Sequence, residues 1–199
     1  YSDSMEIQPW LAKEYENPDE LTWKITLQDG IKFSSGRELT GEAVKECLEH
    51  LVEVHERAKG DLMIDTITAE GQTVTIKTTE PKPTLLNYLS DPYGCIIDME
   101  AGITEDGIVS GTGPYIAKSL VSGEQLKLVK NQEYWDGEPG FDEIIVRTIS
   151  DGDTLTMALQ SGELDGAYGM PYASYPLFEN ENYTFPSCAT SRTFFAHMN

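Results

Sequence analysis

Runs in which apolar and polar residues alternate predict the strands of this chain, because successive side chains of a strand point to opposite faces. The clearest run is Trp23, Ile25 and Leu27, separated by a lysine and a threonine. Residues 9–20 instead carry prolines and charges and predict turns. Alternation or short apolar runs predict further strands at residues 63–68, 73–78, 144–149, 164–168, 183–185 and 192–198.

A spacing of three and four residues predicts the helices. Thr40 is placed to cap a helix that ends at Lys59-Gly60, and Asp151 or Asp153 to cap a second one closed by Gly162. The segment at residues 84–89 predicts a short helix. The segment at residues 171–182 predicts a loop or a short helix. The apolar face of the first helix is Val44, Cys47, Leu48, Leu51 and Val52.

Turn residues connect these elements. Asp29-Gly30 predicts a hairpin whose returning side carries Ile31 and Phe33. Ser122-Gly123 predicts a second hairpin turn after the segment GTGPY. The pattern over residues 144–168 predicts a strand, a helix and a strand. Their length suits a right-handed crossover between two parallel strands.

Composition narrows the possible partners. The chain has 199 residues, 39% of them hydrophobic, which suffices for a core without metals or disulfides. The 14 basic and 34 acidic residues give a net charge of −20, which repels nucleic acid and anionic lipid and excludes both as partners. The acidity favours solubility, with a preference for cationic cargo as the alternative. No apolar run is long enough to span a membrane.

Cysteines and histidines do not form a recognisable metal motif. Cys47, Cys95 and Cys188 are far apart in sequence without a CxxC, which excludes a zinc ribbon or a thioredoxin-like site. Their odd number leaves at least one free thiol unless chains pair. His50 and His55 stand five residues apart, a poor spacing for a metal pair on a helix. We expect no cofactor and no protein-held metal.

Catalytic motifs are missing as well. The sequence has no HExxH, no GxSxG and no phosphate-binding Gly-Lys-Ser/Thr loop. In GTGPY, the proline removes an amide N–H where a phosphate loop would need one, so the glycines indicate a turn. With 34 carboxylates some pair always looks catalytic, so an acidic secreted hydrolase remains only as an alternative.

Six segments in order resemble one family, the extracellular solute-binding proteins of ABC importers for peptides and nickel chelates (family 5). The most specific is GTGPYIAKSLVSGEQLKLVKNQEYWDG, residues 111–137, in which Trp135 has a structural role by this resemblance. One match of this kind would be weak, whereas six at compatible distances are strong. The other similar segments are residues 9–15 (PWLAKEY), 21–36, 39–44 (LTGEAV), 73–83 and 158–166 (ALQSGELDG).

The resemblance implies a fold class and a domain organisation. The family has two α/β lobes around a ligand cleft, with a small extra domain on the first lobe. We therefore expect an α/β, periplasmic-binding-protein-like lobe, a mixed sheet with flanking helices, plus a small α+β subdomain. Residues 1–21 and 108–199 would form the incomplete main lobe and residues 22–107 the inserted subdomain. The abrupt first and last residues predict an excised domain without its export signal and second lobe.

The resemblance also implies a function. The chain would belong to the substrate-binding component of an ABC importer, which captures oligopeptides or dipeptides outside the cell and delivers them to the permease. The alternatives are a nickel-chelate binding protein, the hydrolase, and a structural or sensory domain without import. We expect a monomer that is not an enzyme. It would lie outside the cell, as a membrane-anchored lipoprotein or as a periplasmic protein. Its contact with the membrane would be only through a lipid anchor that is absent from this sequence.

Cleft-facing strand ends and loops supply the candidate ligand contacts. Tyr168 offers a ring and a hydroxyl and Met170 an adaptable thioether, with core packing as the competing interpretation. Arg192 could bind a ligand carboxylate, or form a surface salt bridge. Tyr93 could face the cleft from the subdomain, or be an ordinary turn residue. The full candidate set is Tyr168, Gly169, Met170, Tyr93, Gly94 and Arg192.

Overall fold

Two antiparallel sheets organise the first of the two units into which the chain divides, residues 1–147 and residues 148–199. The structure is a computed structural model that describes Ser2, residues 6–179 and residues 182–184. Within these residues, no helix is long and apolar enough to cross a membrane. The predicted division into a main lobe and a subdomain of residues 22–107 stays a prediction.

The first sheet has four strands in the order β1-β2-β4-β3, and every neighbouring pair is antiparallel. The strands predicted at Trp23–Leu27 and over residues 63–68 and 73–78 are confirmed. Gly71 joins the last two with a left-handed backbone, φ +58°, that favours glycine. The strand bounds are β1 Ala12–Asp19, β2 Thr22–Leu27, β3 Ile64–Glu70 and β4 Thr73–Thr78.

Strand β1 corrects the prediction of turns over residues 9–20, which is wrong. Its charged side chains are exposed, and among the described residues β1 is an edge strand that pairs with β2 alone. Pro18 is tolerated there, since a strand edge leaves its missing N–H facing solvent. Charges and proline on an edge strand also oppose aggregation, so the pattern that resembled a turn is typical of a sheet edge.

The hairpin predicted at Asp29-Gly30 is also wrong. Gly30 does turn the chain, with φ +75°, but β2 already has β1 on one side and β4 on the other. Residues 31–33 pair instead with residues 37–39 through an isolated antiparallel bridge between Lys32 and Glu38, and Ile31 and Phe33 are buried in the core.

Three helices accompany this sheet. Thr40 caps α1 as predicted, its hydroxyl accepting a hydrogen bond from the Ala43 N–H. The predicted single helix is interrupted at His55, whose Nδ1 accepts from the Ala58 N–H at 3.1 Å and caps a second helix. This second helix continues past the predicted end at Lys59-Gly60 to Leu62. The helix bounds are α1 Gly41–Val54, α2 Glu56–Leu62 and α3 Leu85–Leu89.

The core lies between the sheet and these helices. Its central residues are inaccessible to solvent, and α1 packs against β3 and β4. Trp135 also packs on this core, and its ring makes an edge-to-face contact with the ring of Trp10. The fully buried apolar residues of the core are Leu39, Ala43, Ala58, Leu62, Ile76 and Leu85.

The second sheet has three antiparallel strands in the order β5-β6-β7. The hairpin predicted at Ser122-Gly123 is confirmed, with Gly123 at φ +75°. The strand predicted over residues 144–149 is confirmed in its first part. The bounds are β5 Tyr115–Val121, β6 Gln125–Lys130 and β7 Glu143–Arg147.

In the described residues of the second unit, the longer helix is α4, Gly152–Gln160. Asp151 caps it as predicted by accepting from the Thr154 N–H at 2.7 Å, and a 3₁₀ segment follows at Tyr172–Phe178. The strand predicted at 164–168 is wrong, and so is the parallel pair. The structure describes no strand beside this segment to pair with, and β7 pairs with β6 instead. Of the predicted last strands, only residues 183–184 are described.

Candidate ligand-binding site

Gly94 is held against the end of α3. Its N–H donates to the Asp91 carbonyl at 2.8 Å in the 3₁₀ turn Pro92–Gly94. A Cβ added at Gly94 would lie 1.7 Å from the Leu89 carbonyl oxygen. This position therefore requires glycine for the space it leaves, and the turn is packed tightly on the helix before it.

Tyr93 is half-buried, and the protein already uses its polar end. Its hydroxyl donates to Asp61 Oδ2 at 3.1 Å, and its ring meets the His55 ring edge to face at 5.7 Å. Burial, and then the Asp61 carboxylate that accepts from it, raise the pKa of Tyr93 above its ordinary value, so the phenol stays a neutral donor. What Tyr93 has left to offer a ligand is the exposed part of its ring.

Tyr168, Gly169 and Met170 follow one another in the second unit. The Tyr168 side chain is 95% exposed, so core packing does not hold it within the described residues. Gly169 turns the chain with φ +79°, and Met170 is half-buried. Tyr93 and Gly94 lie in the first unit, and Arg192 lies outside the described residues.

A cavity of about 350 Å³ in the first unit was missed by sequence reasoning. Its wall is mostly apolar and comes from β2, β4, α1, α3 and residues 7–12, which are distant in sequence, so no local pattern could indicate it. Gly94 lies on this wall next to Cys95. Its apolar lining residues include Trp10, Ile25, Leu48, Ile76, Leu86 and Leu89.

A buried charge cluster was missed as well. Asp98 is 2% exposed, and its carboxylate accepts from Ser35 Oγ at 2.6 Å and from Arg37 Nη1 at 3.1 Å. Burial acts to raise the pKa of Asp98, but these hydrogen bonds outweigh it and hold the pKa below its ordinary value. Arg37 also pairs with Glu46 at 3.0 Å and Glu100 at 2.9 Å.

The cluster therefore fastens three segments, residues 35–37, α1 and residues 98–100, and its polar atoms face one another. It supports the fold by joining these segments. Among the residues that the structure describes, no group of three or more His, Cys, Asp or Glu side chains could hold a metal ion.

Comparison with protein families gives one match that spans nearly the whole chain. The family described as bacterial extracellular solute-binding proteins, family 5 Middle, matches residues 6–199. The match includes every segment on which the resemblance to this family rests.

Comparison with individual proteins gives relatives with different named ligands. The chain is 35% identical over 179 residues to the nickel-binding protein NikA of Staphylococcus aureus, covering 90% of this chain and 36% of NikA. It is 28% identical over 193 residues to the probable D,D-dipeptide-binding periplasmic protein DdpA of Escherichia coli, covering 90% of this chain and 37% of DdpA. The chain thus spans little more than a third of these relatives.

Comparison with solved structures gives the same fold. The crystal structure of NikA from Staphylococcus aureus in complex with Ni(L-His)2 matches with a TM-score of 0.86 at 34% identity, over 91% of this chain and 39% of that one. The predicted α/β, periplasmic-binding-protein-like fold class is confirmed by this likeness.

Proposed function

This chain belongs to family 5 of the bacterial extracellular solute-binding proteins, and we propose that it is part of the solute-capturing component of an ABC importer. The observation that carries the proposal is the family match over residues 6–199. The protein would bind its cargo outside the cell, release it unchanged to the permease and catalyse no reaction. We extend the proposal to a monomer held at the membrane by a lipid anchor.

The cargo to test first is a nickel chelate, with short peptides second. The relative at 35% identity is a nickel-binding protein, and its structure with Ni(L-His)2 supports the same class of cargo here. A chelated nickel ion brings its own ligands, so the binding protein needs no three-residue metal cluster. The DdpA relative, at 28% identity, supports peptides as the second candidate.

The candidate contacts remain part of this proposal. Tyr168 supports it most directly, because an exposed tyrosine ring is available for stacking on a flat ligand. Gly169, Met170, Gly94, Arg192 and the ring of Tyr93 remain the other proposed ligand contacts. The proposed organisation keeps residues 22–107 as a subdomain inserted into the first lobe.

The proposed mechanism is closure of two lobes over the cargo, with the closed form recognised by the permease. Burial of the ligand between lobes supplies most of the binding energy in such sites. Because the chain spans little more than a third of its relatives, the test needs the full-length protein.

A thermal-shift titration of the full-length protein tests the cargo. A ligand at 100 times its Kd stabilises by about 2.7 kcal/mol, a readily measured rise in Tm. We expect a rise with nickel plus L-histidine, and none with nickel or L-histidine alone. A rise with dipeptides only would transfer the proposal to peptide import, and no rise with either class would contradict both cargoes.

A matched pair of variants tests the site. Tyr168→Ala should weaken the Kd by about tenfold, the loss of about 1.4 kcal/mol of stacking. Tyr172→Ala is the control, since Tyr172 is also highly exposed, at 81%, and lies four residues away. Equal effects of the two variants would contradict the role given to Tyr168.

A further inference from the structure

Two of the three cysteines lie next to each other although 48 residues separate them in sequence. Cys47 is on α1, and its Sγ is 3.8 Å from the carbonyl oxygen of Cys95 and 3.5 Å from the N–H nitrogen of Ile97. The backbone on both sides of Cys95 is therefore within reach of the Cys47 sulfur. A disulfide needs Cα atoms about 4.4–6.8 Å apart, a separation compatible with these contacts.

The apolar cavity also brings Cys95 close to the helix that carries Cys47. Cys95 lies on the wall of the apolar cavity together with Val44 and Leu48, which flank Cys47 on the same face of α1. Cys47 is buried, Cys95 is exposed, and both are free thiols. Formation of the bond would require the exposed Cys95 side chain to turn towards the buried Cys47 sulfur.

We propose that Cys47 and Cys95 are a redox pair that forms a disulfide when the protein meets a small disulfide oxidant. The bond would fasten α1 to the segment that directly follows the 3₁₀ turn at Pro92–Gly94. Because the two cysteines enclose about 48 residues, the crosslink would restrict the unfolded chain substantially. This inference is independent of the cargo proposed above.

The chemistry proceeds in two thiol–disulfide exchanges. The exposed Cys95 thiolate attacks the oxidant RSSR, forming Cys95–S–SR and releasing one thiolate. The Cys47 thiolate then attacks Cys95 Sγ, forming the protein disulfide and releasing the second thiolate. The two protons lost by the cysteines balance the two RSH formed, so the protein is oxidised by two electrons and RSSR is reduced by two.

The order of attack follows from the environments of the thiols. Burial raises the pKa of the Cys47 thiol above its ordinary value, which lowers its thiolate fraction at neutral pH. We therefore expect Cys95 to attack the oxidant first. The later attack of Cys47 on Cys95 Sγ would be the slow step. We expect a transient adduct on Cys95 before the crosslink appears.

The test oxidises the full, reduced chain with 2-hydroxyethyl disulfide, an uncharged probe. We expect a proteolytic peptide pair joined through Cys47 and Cys95, and in the Cys188→Ser variant a mass loss of two hydrogens. The Tm should rise by roughly 5–10 °C on oxidation and return on reduction. A crosslink that includes Cys188, or three thiols persisting at high oxidant, would overturn the proposal.

Single serine variants provide the controls. Cys188→Ser should still form the crosslink, with no free thiol left. Cys47→Ser should stop at the adduct on Cys95, and Cys95→Ser should leave Cys47 unmodified in the folded protein. The peptide map of the wild-type protein tests the Cys47–Cys95 disulfide by itself, so the proposal is tested even if a variant fails to fold. Modification of Cys47 before Cys95 would contradict the proposed sequence of exchanges.

Discussion

The two sheets of the first unit have similar strands but very different surroundings. In the four-stranded sheet, Val74 and Ile76 of β4 are 1% and 0% exposed beneath the helices. In the three-stranded sheet, Ile145 and Val146 of β7 are 51% and 49% exposed. Val74 and Ile76 come from an alternating segment and Ile145 and Val146 from a short apolar run, and both patterns predict strands.

The difference shows that an apolar strand becomes core only when a second layer covers it. Helix α1 packs against β3 and β4 and provides that layer for the first sheet. The chain spans little more than a third of its relatives, which carry further structure. We therefore expect substitutions in the first sheet to affect the stability of this chain far more than matched substitutions in the second.

The largest difference is expected between two isoleucines. Ile76→Ala should lower the free energy of unfolding by about 3 kcal/mol, because it removes buried methyl groups and leaves a hole in the core. Ile145→Ala, at a half-exposed site, should cost less than about 1 kcal/mol. Urea unfolding measures both, and equal losses would mean that the two sheets are covered alike.

The next comparison concerns two aspartates in ion pairs. Asp98→Asn should cost about 3 kcal/mol, because Arg37 would lose a fully buried carboxylate partner. Asp142 is 94% exposed where it pairs with Lys130, at 2.9 Å, and Asp142→Asn should leave the unfolding curve unchanged. A large effect of Asp142→Asn would break the comparison.

The pH dependence sharpens the same comparison. Since the folded pKa of Asp98 is lowered, its contribution is complete above the unfolded pKa of about 3.9 and is lost as pH falls through the folded value. The stability difference between wild type and Asp98→Asn should stay constant from about pH 7 to pH 5 and shrink below about pH 4. A difference that does not change in acid would rule out a charged Asp98.

Two glycines give a smaller contrast. Gly94→Ala should destabilise by about 2 kcal/mol, because the new Cβ would overlap the Leu89 carbonyl and displace the turn. Gly140 precedes β7 with open space around it, so Gly140→Ala should change stability by less than about 1 kcal/mol, towards a more stable protein. Thermal unfolding distinguishes the two, and an unaffected Gly94→Ala protein would contradict the tight packing of this turn.

The smallest effect is expected within the second sheet. Lys127 Nζ pairs with Glu143 across β6 and β7 at 2.7 Å, with both side chains about 40% exposed. Lys127→Gln should cost less than about 0.5 kcal/mol, and the loss should disappear in high salt. A larger loss that persists in salt would show that this sheet depends on its surface pairs.

Local sequence determined the elements that depend on near neighbours. The caps at Thr40 and Asp151 were predictable because each side chain bonds an N–H three residues on. The strands at β3, β4 and β5–β6 followed from alternation and glycine turns. The order of the six similar segments determined the family, and with it the fold class.

The tertiary structure decided what depends on distant neighbours. Residues 12–19 became an edge strand because β2 had a free side, whereas residues 31–33 pair with residues 37–39 and bury Ile31 and Phe33 in the core. Among the candidate site residues, Tyr93 donates a hydrogen bond from its hydroxyl to Asp61, which lies 32 positions earlier in the sequence. The pairing of Asp98 with Arg37 and the approach of Cys47 to Cys95 have the same origin, because neither leaves a periodic trace in the sequence.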